Sequence, residues 1–257
     1  MIYVYGLVQA HGGGLQAFAP SDLEGVTGAV SIGACDGHML IYGQHDGSEI
    51  LARRRSLLAH ARILEAAMSM GTVLPMRFGM TCRSVEAFEA LVRRNCDGIA
   101  AALDRLRDRV EVGLRISAED APALEAALAA SPRLSALRAS LAASGAAAHF
   151  KKVEFGRALG ELIAARRKTA QSQLLERLVP AAAAHVLKAP ESDFEVLRAE
   201  FLVGHARLAA FTDLVEQCVG ELNFAGGGEF QTQLVGPGPA FHFTDLALSP
   251  TDAEEAA

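Results

Sequence analysis

The side chains near the start of the chain alternate in a way that predicts a buried β-strand over residues 2–8. One face would carry Ile2, Val4, Gly6 and Val8, and the other Tyr3, Tyr5 and Leu7, so we expect both faces to be covered. Two further apolar stretches, residues 28–34 and 38–42, are predicted to be strands. The dipeptide Asp36-Gly37 between them favours a tight hairpin turn.

Helical spacing of apolar residues follows in two stretches. Ser48 is a candidate N-cap for a helix that reaches about Met70. Its predicted buried stripe is Leu57, Ala61, Leu64 and Met68. The opposite side carries Arg53, Arg54, Arg55, Arg62 and Glu65. We interpret this side as a solvated face, with a ligand patch as the alternative. After a short strand over residues 72–74, Ser84 is expected to begin a second helix. Its continuous stripe is Val85, Phe88, Val92, Cys96, Ile99, Leu103 and Leu106.

The second half of the chain begins with a clear alternation over residues 110–116. Val110, Val112, Leu114 and Ile116 are expected to face the core, and Glu111, Gly113 and Arg115 to face solvent. An alanine-rich stretch predicts two short surface helices, one with a Ser117/Asp120 capping box and one starting at Ser131-Pro132. A long helix over residues 150–179, strands over 183–188 and 194–203, a helix after Leu208 and a strand around 230–234 follow.

This order of elements predicts an α+β protein with two packed domains. Residues 1–108 would form an N-terminal α+β layer domain. Residues 109–257 have the order strand, helix, strand, strand, helix, strand, which is the ferredoxin-like (split βαβ) arrangement. This domain would carry the alanine-rich helical insert at 117–149 and a C-terminal tail at 236–257. No Gly/Ser/Pro-rich linker occurs near Asp108, so we expect the domains to pack together.

Charge and hydropathy exclude several classes of protein. The formal net charge is -6 with a sequence pI near 5.8, which is the wrong sign for binding nucleic acid. The chain has no apolar run long enough to span a membrane and no signal peptide, so a cytoplasmic protein is expected. Its cysteines, Cys35, Cys82, Cys96 and Cys218, form no CxxC pair and are expected to be reduced thiols.

Sequence motifs for catalysis or cofactor binding are missing. The run from His11 to Gly14 resembles an esterase oxyanion loop, but no GxSxG nucleophile motif accompanies it. Gly226 to Gly228 lacks the Lys-Ser/Thr of a phosphate-binding loop and is interpreted as a turn. The histidines show no metal-ligand spacing, and no pair of carboxylates lies in an apolar setting. We therefore expect no enzyme activity, no metal and no cofactor.

Several stretches together resemble one known family. They are YVYGLV at residues 3–8, TVLPMRFG at 72–79, VEVGLRI at 110–116, AEFLV at 199–203 and LVGPGPAFHF at 234–243. This series resembles the gas vesicle proteins of the F/L family (GvpF/GvpL), and it extends over nearly the whole chain. TVLPMRFG is the most specific of these motifs.

The resemblance implies an accessory or minor structural protein of gas vesicles, the gas-filled protein shells that give aquatic prokaryotes buoyancy. Such proteins bind the small, apolar major shell subunit and other accessory proteins during assembly. The resemblance also implies two α+β domains, the second a modified ferredoxin-like fold, located in the cytoplasm and at the gas vesicle. The alternative is a small-molecule-binding or enzymatic module on a ferredoxin-like fold, because this fold hosts many kinds of site.

The candidate site is centred on a single cation within an apolar run. Pro75 is expected to end a strand, and Gly79 to let the chain turn. Arg77 is expected where the two domains meet, bonded to carbonyl groups or a carboxylate, with Tyr3 and Tyr5 nearby. The full set of predicted domain-interface or partner-binding residues is Tyr3, Tyr5, Pro75, Arg77, Phe78, Gly79, Gly236, Pro237, Pro239 and Phe241.

Overall fold

The computed structural model describes residues 1–10, 26–142, 148–246 and 248. These residues form a mixed α/β structure with two sheets, divided into two compact units. Unit 1 comprises Met1–Glu111 and the C-terminal segment from Pro237 onward, and unit 2 comprises Val112–Gly236. The C-terminal segment, which the sequence analysis assigned to the second domain, therefore groups with unit 1.

The sheet of unit 1 is built around its first strand. Its strands are β1 (Ile2–Ala10), β2 (Val26–Cys35), β3 (His38–His45), β4 (Gly71–Pro75) and β5 (Thr81–Cys82). The order is β2-β3-β1-β4, with β5 also pairing with β1, and all these pairings are antiparallel. Residues 2–8 of β1 are buried on both faces. This confirms the prediction from their two-sided apolar pattern.

The predicted hairpin between β2 and β3 is also present. Asp36 and Gly37 form its turn, and both have positive φ angles, 45° and 80°. A two-residue turn of this kind requires positive φ at both central positions, because only then does its twist match that of the flanking strands. The Asp-Gly dipeptide tolerates this backbone better than most residue pairs.

Helix α1 (Arg54–Ala67) begins six residues after the predicted cap. The Ser48 N–H donates to Asp46 Oδ1 at 2.8 Å in a short turn, and Ser48 lies outside the helix. The N-cap is Arg53, whose side chain makes no capping hydrogen bond. The prediction of a Ser48 cap was wrong because the side chain of Asp46 binds this stretch into a turn instead.

The buried face of α1 is also displaced from the predicted stripe. The residues that face the core are Ser56, Ala59, His60, Ile63, Leu64 and Ala67. Leu57, which was predicted to be buried, is 43% exposed. Two polar side chains, Ser56 and His60, occupy the core side, so the apolar pattern alone indicated a face one position away. The arginines that were predicted to be solvated are all exposed.

The predicted second helix is two helices, α2 (Val85–Arg94) and α3 (Cys96–Leu106). Ser84 caps α2 as predicted, because its Oγ accepts a hydrogen bond from the Ala87 N–H at 3.2 Å. The break lies at Asn95, whose side-chain Nδ2 donates to the Leu91 carbonyl at 2.9 Å. Local side-chain bonds of this type compete with the helical ladder. As a result Cys96, which was placed in the buried stripe, is exposed.

The second sheet has the strand order β7-β8-β6-β9. Its strands are β6 (Arg109–Ala118), β7 (Ala184–Leu187), β8 (Glu195–Gly204) and β9 (Phe230–Gly238). The helices of unit 2 are α4 (Asp120–Ala129), α5 (Pro132–Ala142), α6 (Ala148–Leu178) and α7 (Leu208–Gly220). Short 3-10 helices cover Val179–Ala181, His205–Arg207 and, in unit 1, Phe241–Phe243. Because β9 lies beside β6 and not beside β8, the last strand is separated from the one that precedes it in the chain.

The core of unit 2 contains aromatic side chains from β8 and α7. Phe201 of β8 and Phe211 of α7 are fully buried, with ring centroids 5.3 Å apart. In the alanine-rich region α4 and α5 pack against α6. Ser131 caps α5 as predicted, since its Oγ accepts from the Leu134 N–H at 3.3 Å. The predicted Ser117/Asp120 capping box is absent, because α4 has Glu119 as its N-cap with no side-chain bond.

Candidate functional site

A loop leaves the edge of the unit 1 sheet between β4 and β5, and we call residues 76–80 the β4–β5 loop. Both flanking strands pair with β1, so the chain departs from β1 and returns to it. The base of the loop is closed by two backbone hydrogen bonds of 2.9 Å. The Met76 N–H donates to the Tyr5 carbonyl, and the Val4 N–H donates to the Met80 carbonyl. The loop is thus a projection held at both ends by one strand.

The strand that precedes this loop packs closely against β1. Pro75 is the last residue of β4 and lies opposite Gly6 of β1. A Cβ atom at Gly6 would lie 2.8 Å from the Leu74 carbonyl oxygen and 2.9 Å from Cδ2 of Leu64. Glycine is therefore required at this position by the close approach of β4 and α1.

A buried tyrosine–histidine pair fixes the loop from below. His60 Nε2 lies 3.2 Å from the Met76 carbonyl oxygen, so this nitrogen carries the proton and donates. Nδ1 then accepts a hydrogen bond from the Tyr3 hydroxyl at 2.8 Å. The same hydroxyl oxygen accepts from the Gly79 N–H at 3.2 Å. Strand β1, helix α1 and the β4–β5 loop are joined through these two side chains.

The environment of this pair keeps both groups uncharged. Burial lowers the pKa of His60 to about 4, against the opposing effect of its hydrogen bond to the Met76 carbonyl. Burial likewise raises the pKa of Tyr3 well above its ordinary value, and the Gly79 N–H offsets only part of this. At pH 7 the imidazole and the phenol are therefore both neutral, and they are hydrogen-bonded to the backbone and to each other. The pair thus has a structural role.

Aromatic rings enclose the imidazole of His60. The ring of Tyr5 stacks on it with a centroid distance of 5.5 Å, and Tyr3 meets Tyr5 edge-on at 4.8 Å. The rings of Phe78 and Phe241 lie 5.8 and 5.9 Å from the imidazole. Phe78 comes from the loop and Phe241 from the C-terminal segment, so both pack on the same histidine.

The C-terminal segment of unit 1 is anchored by polar contacts. Glu111 accepts two contacts from His242, from the backbone N–H at 2.8 Å and from Nδ1 at 2.6 Å. Arg105 binds the Phe243 carbonyl oxygen and the carboxylate of Asp245. Glu111 was predicted to face solvent but is only 8% exposed, because this segment covers it. The alternating pattern of β6 could not show that a distant segment of the chain would bury the Glu111 side chain.

The β4–β5 loop and the C-terminal segment enclose a groove of about 540 Å³, which we call the β4–β5 groove. Its apolar lining is Pro75, Met76, Phe78, Met80, Phe241, Leu246 and Leu248. Arg77, Gly79, Thr81 and Thr244 complete it. The side chain of Arg77 is exposed and forms no hydrogen bond or ion pair with any residue that the structure describes. The expected bonds from Arg77 to a carbonyl or carboxylate are therefore not found.

The structure brings many of the predicted site residues together. Pro75, Arg77, Phe78, Gly79 and Phe241 line the groove. Tyr3 and Tyr5 are buried against His60, and Pro239 is buried in the C-terminal segment. Gly236 and Pro237 are exposed, and Gly236 has a φ of 124°. The role of this set at a domain interface or with a partner stays a prediction.

Sequence reasoning missed His60, which is central to the site and only 2% exposed. One signal was available. Ser56, His60, Ile63 and Ala67 follow helical spacing as well as the leucine stripe does. The predicted stripe did not include this face, which places two polar residues in the core. Only the partners of His60, one in β1 and one after β4, make its burial favourable.

Other features of the described chain bear on the predicted chemistry. Gly226 to Gly228 lie between α7 and β9, as predicted for a turn, and border an open cavity of about 680 Å³ in unit 2. All four cysteines are free thiols, and burial raises the pKa of Cys35 to about 11. Among the described helices, none combines the length and the apolarity that crossing a bilayer requires.

Known proteins with a related sequence come from one family. The family model for gas vesicle synthesis protein GvpL/GvpF matches residues 1–245. Gas vesicle protein F of Streptomyces sp. (strain CB03234) is 28% identical over 200 residues, which are 77% of this chain and 80% of that protein. Gas vesicle protein F of Nostoc sp. (strain PCC 7120 / SAG 25.82 / UTEX 2576) is 26% identical over 188 residues, with coverages of 70% and 75%.

Solved structures share the fold. The crystal structure of gas vesicle protein GvpF from Anabaena sp. PCC7120 superposes with a TM-score of 0.81 at 19% identity, covering 96% of this chain and 98% of that one. GvpF from Microcystis aeruginosa gives a TM-score of 0.73 at 20% identity, with coverages of 95% and 99%. The family match over nearly the whole sequence confirms the resemblance that the motifs indicated, and this chain belongs to the GvpL/GvpF family of gas vesicle synthesis proteins.

Proposed function

We propose that this protein is an accessory factor of gas vesicle assembly that binds the small apolar shell subunit through the β4–β5 groove. Family membership supports a role in gas vesicle formation. The observation that carries the finer proposal is the groove itself, an apolar depression whose floor is held by buried hydrogen bonds. We further propose that other accessory proteins bind this protein during assembly, and that it acts at the gas vesicle.

The chemistry of the groove suits an apolar protein segment. Methionine and phenylalanine side chains from the loop face leucine side chains from the C-terminal segment. Methionine adapts its shape to different apolar partners at low energetic cost. Arg77, the cation among the described lining residues, is placed to bind a carbonyl group or a carboxylate at one end of such a segment. A subunit that is mostly apolar needs this kind of soluble contact before it enters the shell.

The lining of the groove does not favour the alternative of an enzyme. Among the described residues that line the groove, Arg77 carries the charged side chain, and none of them contributes a carboxylate or an imidazole. The Tyr3–His60 pair points inward and is neutral near pH 7. General acid–base chemistry needs a group that can exchange protons with a substrate.

We also propose that the chain consists of two α+β domains, with the boundary near residue 108 and a ferredoxin-like second domain. The strand order β7-β8-β6-β9 supports this, because it places the first and third strands of the unit at the centre and the second and fourth at the edges. The element order β6, α6, β7, β8, α7, β9 supports it as well, with α4 and α5 inserted before α6.

The proposed binding is tested by co-expressing the tagged protein with the shell subunit and measuring the subunit retained after affinity capture. We expect retention by the wild type and a reduction of at least about fivefold in Arg77→Glu and in Leu246→Glu. Arg77→Glu replaces attraction to a carbonyl group or carboxylate by repulsion, and Leu246→Glu places a carboxylate against an apolar segment. Arg133→Glu, an exposed charge reversal outside the groove, is the matched control. Melting temperatures show that the variants remain folded.

Two results would contradict the proposed function. One is no retention by the wild type under conditions in which the related Streptomyces protein retains its own shell subunit. The other is full retention by both groove variants. A gene deletion that leaves cells as buoyant as before would contradict the role in gas vesicle formation itself.

A further inference from the structure

The side of helix α1 that faces away from the core combines exposed leucines with arginines. We define the α1 outer face as Arg54, Leu57, Leu58, Ala61 and Arg62. Leu57 and Leu58 are 43% and 45% exposed, although both lie within a regular helix. Residues four apart share a helix face, so Arg54, Leu58 and Arg62 form one row and Leu57 and Ala61 form the row beside it. The apolar residues are thus bordered by guanidinium groups.

The charge of this region opposes that of the whole protein. The chain carries a formal net charge of -6, yet its α1 region contains Arg53, Arg54, Arg55 and Arg62. The carboxylate within α1 is that of Glu65. Among the residues that the structure describes, neither Arg54 nor Arg62 has an ion-pair partner. Arginine is enriched in protein–protein interfaces relative to the rest of the protein surface.

We propose that the α1 outer face binds an acidic amphipathic helix of a partner protein. Leu57, Leu58 and Ala61 offer a narrow apolar ridge that an amphipathic helix can cover with its own apolar stripe. Carboxylates on either side of that stripe would meet Arg54 and Arg62, which bind carboxylates in a two-pronged geometry. The proposal goes beyond the function assigned to the β4–β5 groove, because no residue of the α1 outer face lines that groove.

A protein partner is favoured over an anionic lipid surface. Helices that lie in a membrane interface bury a wide apolar face, often with tryptophan or phenylalanine. Helix α1 has no aromatic Phe, Tyr or Trp, and its wide apolar side is already packed in the core of unit 1. The two half-exposed leucines leave too little apolar area for insertion into a bilayer.

The partner surface is mapped by site-specific photo-crosslinking in the cells that make the protein. A benzophenone amino acid replaces Leu58, and a second strain carries it at Arg133 as a control for random contacts. Mass spectrometry identifies the attached peptide and its sequence. We expect a discrete product from position 58 that is absent from position 133. The crosslinked segment is expected to be helical in pattern, with acidic residues on both sides of an apolar stripe.

Charge reversal then separates specific pairing from proximity. The double change Arg54→Glu with Arg62→Glu is expected to reduce the product from position 58 at least about tenfold, since two attractive pairs become repulsive. Replacing the acidic residues of the mapped segment by lysine is expected to restore it. Arg133→Glu is expected to leave the yield unchanged. Capture of the shell subunit through the groove is expected to be unaffected, so this test is independent of the proposed function.

Several outcomes would overturn the proposal. These are equal products from positions 58 and 133, a crosslinked segment without an excess of acidic residues, and a yield that the double reversal does not change. Attachment to lipid would assign the face to a membrane surface. Attachment to residues 249–257 of the same chain, which include Asp252, Glu254 and Glu255, would show that the protein covers this face itself.

Discussion

The Tyr3–His60 pair makes the stability of unit 1 depend on pH in a calculable way. The pKa of His60 is about 4 in the folded protein and 6.5 in an unfolded chain. The unfolded state therefore takes up a proton first as the pH falls. The contribution of the neutral histidine is complete above pH 6.5 and is lost progressively between pH 6.5 and pH 4. Acidification is expected to destabilise the wild type for this reason.

The magnitude follows from the two pKa values. At pH 5 the unfolded histidine is mostly protonated and the folded one mostly neutral, which changes the folding equilibrium by a factor of about 30. This corresponds to about 2 kcal/mol of the free energy of unfolding, rising to about 3 kcal/mol below pH 4. His60→Gln removes the titrating group. Its amide N–H remains able to donate to the Met76 carbonyl that His60 binds.

The assay is urea unfolding at pH 8 and pH 5, followed by circular dichroism, for the wild type and His60→Gln. Other groups also titrate over this range, so the informative quantity is the difference between the two proteins in their loss of stability. We expect the wild type to lose about 2 kcal/mol more than the variant. His205→Gln, at an exposed position, should behave like the wild type. Equal losses in the wild type and His60→Gln would refute the neutral, buried state of His60.

Three further predictions follow from single contacts. Gly6→Ala should lower the free energy of unfolding by about 1–3 kcal/mol because a methyl group would meet a backbone oxygen of β4. Gly156→Ala, in open space on α6, should raise the free energy of unfolding by about 0.5–1 kcal/mol. Urea unfolding midpoints of the two variants and the wild type test both predictions. Arg54→Glu should raise the free energy of unfolding by about 0.3–1 kcal/mol, and with it the melting temperature, because a carboxylate in the first turn of a helix interacts favourably with the helix dipole. Arg133→Glu, at the start of α5, should have the same effect. A thiol reagent at pH 8 should modify Cys96 rapidly in the folded protein and the buried cysteines only after denaturation.

Local patterns were enough to predict the elements whose determinants lie within the element itself. The two-sided apolar alternation of residues 2–8 indicated a strand covered on both faces, and β1 is such a strand. The Asp36-Gly37 turn and the Ser84 cap were predicted for the same reason, since a dipeptide or a single hydroxyl group determines each of them. The alternation of β6 placed Val110, Val112, Leu114 and Ile116 in the core, and all four are buried.

Features that depend on distant partners could not be predicted. His60 lies in the core because Tyr3 and the Met76 carbonyl satisfy its ring nitrogens, and these partners are 57 and 16 residues away. Glu111 is buried by a contact 131 residues away. The TVLPMRFG motif supplies one side of the groove. The opposite side, with Leu246 and Leu248, lies beyond the tail residues that the family resemblance indicated.

The bond from Gly79 to the Tyr3 hydroxyl has a consequence for amide hydrogen exchange. Gly79 is an exposed glycine in a projecting loop, where exchange with solvent is ordinarily fast. Its N–H nevertheless donates a hydrogen bond to the hydroxyl oxygen of Tyr3, which is a buried residue. Releasing that proton to water requires the loop to move away from the Tyr3 hydroxyl, so the amide should exchange more slowly than an unbonded amide of an exposed loop. A ligand that enters the groove would therefore meet a loop that already has its final conformation.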